Sequence, residues 1–149
     1  MATLDMRKPD QARMESFADR MMDMLNGASI ALMISVGHRT GLFDTMAGMS
    51  PATTHDIAAR SRLNERYVRE WLAAMVVGRI VDYDPEHGNY TLPIEHAAFL
   101  TRPATPDNMA SFMQYVSVLG QVEDEIVDCF RNGGGVPYSS YKRFHEVMA

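Results

Sequence analysis

The stretch TTHDIAARSRLNERYVREWLAAMVVGRIVDYDPEHGNYTL, residues 53–92, decides the fold. Thr53, followed three positions later by Asp56, is the pattern of a capped helix start. Ile57 and Ala58 then form the inward side of a short helix through Arg60. Ser61-Arg62-Leu63 make the turn, and Asn64 caps a second helix. In it Val68, Trp71, Leu72, Met75 and Val76 recur at i, i+3, i+4, i+7, i+8, the spacing of a single helical face. Gly78 and Arg79 end that helix. The period then changes: residues 80–84 read as a strand, Pro85-Glu86-His87-Gly88 as a turn, and residues 89–92 as the return strand. Two helices joined by a tight turn, then a β-hairpin, make a winged helix-turn-helix.

Working outward, Asp10 is the N-cap of a first helix whose apolar stripe is Met14, Phe17, Ala18, Met21 and Leu25. Asn26-Gly27 is expected to interrupt it. A second helix carries Ala28, Leu32, Met33 and Val36, with its most apolar part at residues 30–36, and Gly37 and Gly41 are expected to close it. A helix apolar on most sides is buried, at the centre of a domain or inside a dimer. Leu42-Phe43 begins a short helical piece ending near Gly48. Beyond the wing, Pro93 opens a short helix, and Pro103 and Pro106 make residues 101–108 a loop. One long helix is expected next, with Met109, Phe112, Met113, Val116, Leu119, Ile126, Val127 and Phe130 as its stripe, ended by Gly133-Gly134-Gly135. A last amphipathic segment runs from Tyr138 to Met148. The expected fold class is mainly α with a small β-hairpin wing: one domain over residues 1–149, with its winged core at 53–92 and a long helix and junction helix at 109–149.

Composition bounds the function. The 149 residues suffice for one domain with a core, and 46% hydrophobic against 22% charged residues is an ordinary globular balance. Residues 30–36 fall far short of the roughly 18–20 apolar residues that span a bilayer. The terminus, with Asp5 and Asp10 beside Arg7 and Lys8, does not read as a signal peptide. A single cysteine, Cys129, excludes an intrachain disulfide, so the expected location is the cytoplasm. Thirteen methionines suit an adaptable core and subunit interface, or else a ligand pocket that can repack.

Winged helices often place their second helix in the DNA major groove. Here that helix offers Arg66, Arg69 and Arg79 against Glu65 and Glu70, and the wing carries Asp82, Asp84 and Glu86 with no lysine or arginine. With a net charge of −5, an acidic wing would meet phosphates with the wrong sign, so packing fits this motif better than nucleic acid. The triple glycine lacks the Lys-Ser/Thr of a phosphate loop. His38, His55, His87, His96 and His145 show no metal-ligand spacing, Glu95-His96 is a weak acid–base pair, and Cys129 reads as a packing residue. No catalytic residue and no metal ligand are assigned. Tyr141, Phe144 and Met148 follow i, i+3, i+7, so this face either closes the core or walls an apolar ligand pocket.

Several motifs together carry a family resemblance. They are Gly41-Leu42-Phe43-Asp44, then Arg66-Tyr67-Val68-Arg69-Glu70-Trp71-Leu72, then Tyr90-Thr91-Leu92-Pro93 with Glu95-His96-Ala97, and finally Gly133-Gly134-Gly135-Val136-Pro137-Tyr138 leading to Arg143-Phe144-His145-Glu146-Val147-Met148. From about Ala12 onward the chain resembles the N-terminal region of bacterial class I S-adenosylmethionine-dependent methyltransferases that carry a winged-helix domain, an architecture shared by small-molecule O-methyltransferases. The resemblance implies a domain that builds an intertwined homodimer and caps a substrate pocket. In that family a following Rossmann-like domain holds the methyl donor. No Asp/Glu-x-Gly-x-Gly-x-Gly run occurs before Ala149, so the expectation is a domain that binds no cofactor alone, with S-adenosylmethionine belonging to the parent family. Phe144 and Met148 match the family's Phe-x-x-x-Met pocket pattern, whereas His145 stands where plant enzymes commonly have Asn. The leading reading is a non-catalytic dimerisation and substrate-capping domain. The alternatives are a DNA-binding regulator acting through Arg66 and Arg69, and a stand-alone module for apolar or aromatic small molecules.

Overall fold

The computed structural model describes residues 8–148; Asp5 and Arg7, used above to read the terminus, lie outside them. Helix α1 is Gln11–Thr40, capped by the Asp10 side chain, which accepts from the Arg13 N–H. It runs unbroken through Asn26-Gly27, where two helices were expected. A lone glycine in a helix interior costs about 1 kcal/mol relative to alanine, too little to break thirty residues of ladder. Gly37 does not close the helix either; it lies inside α1, buried against Trp71 and Phe43. Gly41 does close it, at φ 75°, a left-handed conformation that suits glycine.

Helices α2 (Leu42–Ala47), α3 (Thr54–Ser61) and α4 (Glu65–Val77) follow. The capping box at α3 is complete: the Thr53 hydroxyl accepts from the Asp56 N–H, and the Asp56 carboxylate accepts from the Thr53 N–H at 3.2 Å. Arg62 takes the left-handed turn position at φ 58°, and the Asn64 side chain caps α4. The apolar face of α4 read from the sequence is the core: Val68, Trp71, Leu72 and Met75 are buried. The Trp71 indole N–H donates to the Met33 carbonyl at 2.8 Å, and its ring meets Phe43 edge-on, with centroids 5.2 Å apart. These two contacts fix α4 against α1 and α2.

The wing is shorter than expected. Strand β1 (Asp82–Asp84) pairs antiparallel with β2 (Asn89–Thr91), Tyr83 opposite Tyr90. Ile80 and Val81 remain outside the strand because their N–H groups bond back to the Met75 carbonyl at the end of α4. Tyr90 also exchanges both backbone hydrogen bonds with Ala52, which ties the wing to the start of α3.

Helix α5 is Ile94–Leu100. The expected single helix over residues 109–130 is instead three: α6 (Met109–Phe112), α7 (Gln114–Gly120) and α8 (Glu123–Asn132). The break before α8 falls at Gly120-Gln121-Val122, where Val122 leaves the helical region at φ −109° and buries its side chain. The last segment also divides, into a 3₁₀ turn at Tyr138–Ser140 and helix α9 (Phe144–Met148), because Arg143 sits at φ 67°. The architecture is therefore mainly α with a two-stranded wing. No helix among the described residues is long and apolar enough to cross a membrane.

Candidate functional site

A cavity of about 570 Å³ opens between the C-terminal end of α1, the loop before α6, and α9. His38, Arg102, Phe112, Tyr115, Val147 and Met148 are among the residues that line it. Its walls are positioned by two polar devices.

The first is Arg102. Its backbone N–H donates to Asp44 at 2.8 Å, its guanidinium pairs with the same carboxylate, and its Nη2 donates to the His38 carbonyl at 2.7 Å. Asp44 is the last residue of the Gly-Leu-Phe-Asp motif, whose Leu42 and Phe43 are buried. The motif thus anchors α2 in the core and offers one carboxylate to hold the loop. That carboxylate also fixes Arg102 next to His38. Burial, and then the Arg102 charge, lower the imidazole's pKa below its ordinary value. His38 Nδ1 is enclosed with no hydrogen-bond partner among the described residues.

The second device is Arg143. Its left-handed backbone turns the guanidinium inward, where Nη2 donates to Oε1 of buried Gln114 at 2.6 Å and Nε donates to Glu146 at 3.1 Å. The Arg143 hydrogen bond holds the Glu146 carboxyl below the usual carboxylate range. This pins α9 over α7.

The three residues singled out from the sequence do not share one face. Met148 lines the main cavity. Phe144 packs edge-on to Tyr115 at 5.8 Å, and Tyr141 faces a separate recess of about 340 Å³ beside Phe130 and Cys129. The i, i+3, i+7 argument assumed a continuous helix, and Tyr141 precedes α9. An aromatic chain links them nonetheless, with Tyr141 and Phe144 at 6.0 Å and Tyr138 and Phe144 at 5.5 Å.

Arg66 and Arg69 are exposed on α4, and Arg69 lies 3.7 Å from Glu65. Asp82, Asp84 and Glu86 are exposed on the wing, where the His87 ring bonds Asp84 at 2.6 Å. The His96 Nδ1 donates to the Ile80 carbonyl at 2.8 Å, which ties α5 to the segment between α4 and the wing. The residues that shape the cavity, His38, Arg102, Asn108, Gln114 and Arg143, were not singled out in the sequence. Asn108 pairs locally with Ser111, but the pairings of the others span 29 to 64 positions, beyond any local pattern.

Comparison with solved structures shows the same fold in several methyltransferases. Human N-acetylserotonin methyltransferase in complex with SAM matches at 19% identity with TM-score 0.67, over 99% of this chain and 44% of that one. The mitomycin 7-O-methyltransferase MmcR matches at 19% identity with TM-score 0.65, over 85% of this chain and 37% of that one. The N,N-8-amino-8-demethyl-D-riboflavin dimethyltransferase RosA from Streptomyces davawensis matches at 21% identity with TM-score 0.65, over 87% and 37%. The chain thus spans less than half the length of these enzymes, and at such identities the likeness is one of fold. No curated protein matches the sequence. The sequence of residues 28–102, half of the 149, matches the Rv2258c-like winged HTH domain, and the chain belongs to that family.

Proposed function

We propose that this chain is a dimerisation and substrate-capping domain of an S-adenosylmethionine-dependent methyltransferase-like protein, supplying no catalytic residue itself. One observation carries the reading. Every residue of α1 from Gln11 to Ser29 is exposed, yet Met14, Phe17, Met21, Met24 and Leu25 form an apolar stripe along it. At 1.5 Å per residue the stripe from Met14 to Leu25 runs about 17 Å. It continues onto Leu32 and Val36, which are also exposed, on a side of the helix different from the one that packs in the core. In proteins most of a helix's stability comes from packing its apolar face, and this stripe has no cover among the described residues. A second copy of the same stripe covers it in a two-fold arrangement, in which each patch meets itself.

The fold shared with the methyltransferases above supports the rest of the reading. In such an enzyme the cap would hold an acceptor near the donor methyl group, a contribution of positioning and not of acid–base chemistry. Tyr141, Phe144 and Met148 belong to this cap by resemblance, and S-adenosylmethionine belongs to the partner domain. The exposed acidic wing supports packing over nucleic acid. Sedimentation velocity at micromolar concentration tests the reading: a dimer is expected, and a stable monomer would contradict it.

A further inference from the structure

We propose that His38 is a proton-operated latch: its neutral ring lets Arg102 clamp the loop of residues 101–108 to the end of α1, and its charged ring releases that loop. The loop carries Thr105, Pro106 and Asn108, which line the cavity, so the latch sets whether this wall is held or loose.

The clamp is one side chain. Arg102 begins a 3₁₀ turn, Arg102–Ala104, and its carbonyl accepts from both the N–H and the hydroxyl of Thr105. Its own N–H and its guanidinium both go to Asp44 on α2, and Nη2 donates to the His38 carbonyl at 2.7 Å. The guanidinium rests against the junction of α1 and α2, where a Cβ added at Gly41 would lie 3.4 Å from Nη1. The Arg102 side chain is about half exposed, and ion pairs with that much water around them hold weakly. A single charge added beside this pair shifts the balance.

The His38 ring is placed to add that charge. Its Nδ1 is enclosed with no hydrogen-bond partner among the described residues. A neutral ring can carry its one proton on Nε2, whereas a charged ring has an N–H on both nitrogens. Protonation thus makes Nδ1 an enclosed donor without an acceptor, and only movement of the ring or its neighbours relieves the cost.

The surrounding charges offer a charged ring no free partner. Arg102 from the loop and Arg39 in the same last turn of α1 carry the same sign. Asp44 on α2 has the opposite sign, but Arg102 already occupies it. Glu146 on α9 lines the same cavity and is held by Arg143, while α7 contributes only the neutral titratable group of Tyr115. The C-terminal end of a helix favours a cation, yet Arg102 already takes the His38 carbonyl there. A charged His38 therefore either repels Arg102 or competes with it for Asp44, and both loosen the clamp. Burial and the Arg102 charge hold the ring's pKa below its ordinary value, in accord with this geometry. The latch is closed while the ring is neutral and opens as pH falls through that lowered value.

The experiment is an NMR titration of the whole ¹⁵N-labelled chain from about pH 7.5 to about pH 5, following the His38 ring and the amides of Arg102 and Thr105. The Arg102 and Thr105 signals should shift with the same midpoint as the His38 ring, below about 6.5. The hydrogen-exchange protection factor of the Arg102 amide, which donates to Asp44, should fall at least threefold over that range. The Trp71 indole N–H, bonded to the Met33 carbonyl, should keep its protection, which separates release of the loop from unfolding. In His38→Gln, which stays neutral, the loop signals should not respond, with near-ultraviolet circular dichroism confirming the fold. If that variant does not fold, co-titration in the parent decides alone. The proposal is overturned if the His38 ring titrates while the Arg102 amide keeps its shift and protection. It is also overturned if the loop loosens equally in folded His38→Gln, or if the Trp71 indole opens together with the loop. The latch does not rest on the dimer reading, since a monomer and a dimer give the same expected titration.

Discussion

Gly37→Ala should destabilise the protein, although helix propensity alone says the opposite. Gly37 lies in the interior of α1, where alanine is favoured over glycine by about 1 kcal/mol. A Cβ built there would lie 2.5 Å from Trp71 Cζ2 and 2.7 Å from Phe43 Cε2. Both are distances at which something must move. The Trp71 ring cannot retreat freely, since its N–H is bonded to the Met33 carbonyl and its ring is packed edge-on with Phe43. Overpacking of a tight core costs about 1–3 kcal/mol, and losing the indole hydrogen bond about 1 kcal/mol more. Against the gain of about 1 kcal/mol, the net loss is about 1–3 kcal/mol, or a fall in Tm of several degrees at roughly 2–4 °C per kcal/mol. Gly27→Ala in the same helix is the control. No atom lies within 4 Å of its Cβ position, so it should gain about 1 kcal/mol. Urea unfolding, read by the fluorescence of the single tryptophan, measures both. A Gly37→Ala protein as stable as the parent would refute the packing argument.

Thr53→Ala should cost about 1 kcal/mol by removing the hydroxyl that caps α3, and Thr53→Ser should recover most of it. The His38 imidazole should titrate below the usual value of about 6.5, an inflection readable from its ring-proton NMR signal. Because the folded-state value is lowered, the neutral ring contributes stability that is complete above the unfolded value and is lost as pH falls towards the folded one. Tm should therefore drop on acidification below pH about 6.5, and less so in His38→Gln; an equal drop in both proteins contradicts this. Arg66→Glu with Arg69→Glu should change nothing in a DNA gel shift at physiological salt, since the parent should show none. A salt-dependent shift abolished by the pair would restore the nucleic-acid reading.

What the sequence revealed was local. The Thr53–Asp56 box, the Asn64 cap and the Val68–Met75 stripe each act within a few residues, and each is observed. Breaks were harder to read. Asn26-Gly27 looked like a stop but costs too little to be one, while the real divisions at Val122 and Arg143 follow from burial and from a side chain pulled inward to Gln114. The cavity was largely hidden because its walls meet through long-range pairs. Nothing near Asp44 in the sequence announces Arg102, 58 positions later. Phe144 and Met148 do fall together on α9, but Tyr141 was placed on their face, which the turn at Arg143 dissolves.

The account rests on the exposed stripe of α1 being an interface between two copies. Phe17 and Leu25 lie on it, both about 60% exposed, and neither belongs to the core cluster. Replacing both with glutamate keeps good helix formers while placing like charges across a two-fold contact. Sedimentation velocity on the parent and the Phe17→Glu, Leu25→Glu variant, with near-ultraviolet circular dichroism to confirm an intact Trp71 environment, is the most direct measurement. The account predicts a dimeric parent and a folded, monomeric variant; a monomeric parent, or a variant that stays dimeric, would contradict it.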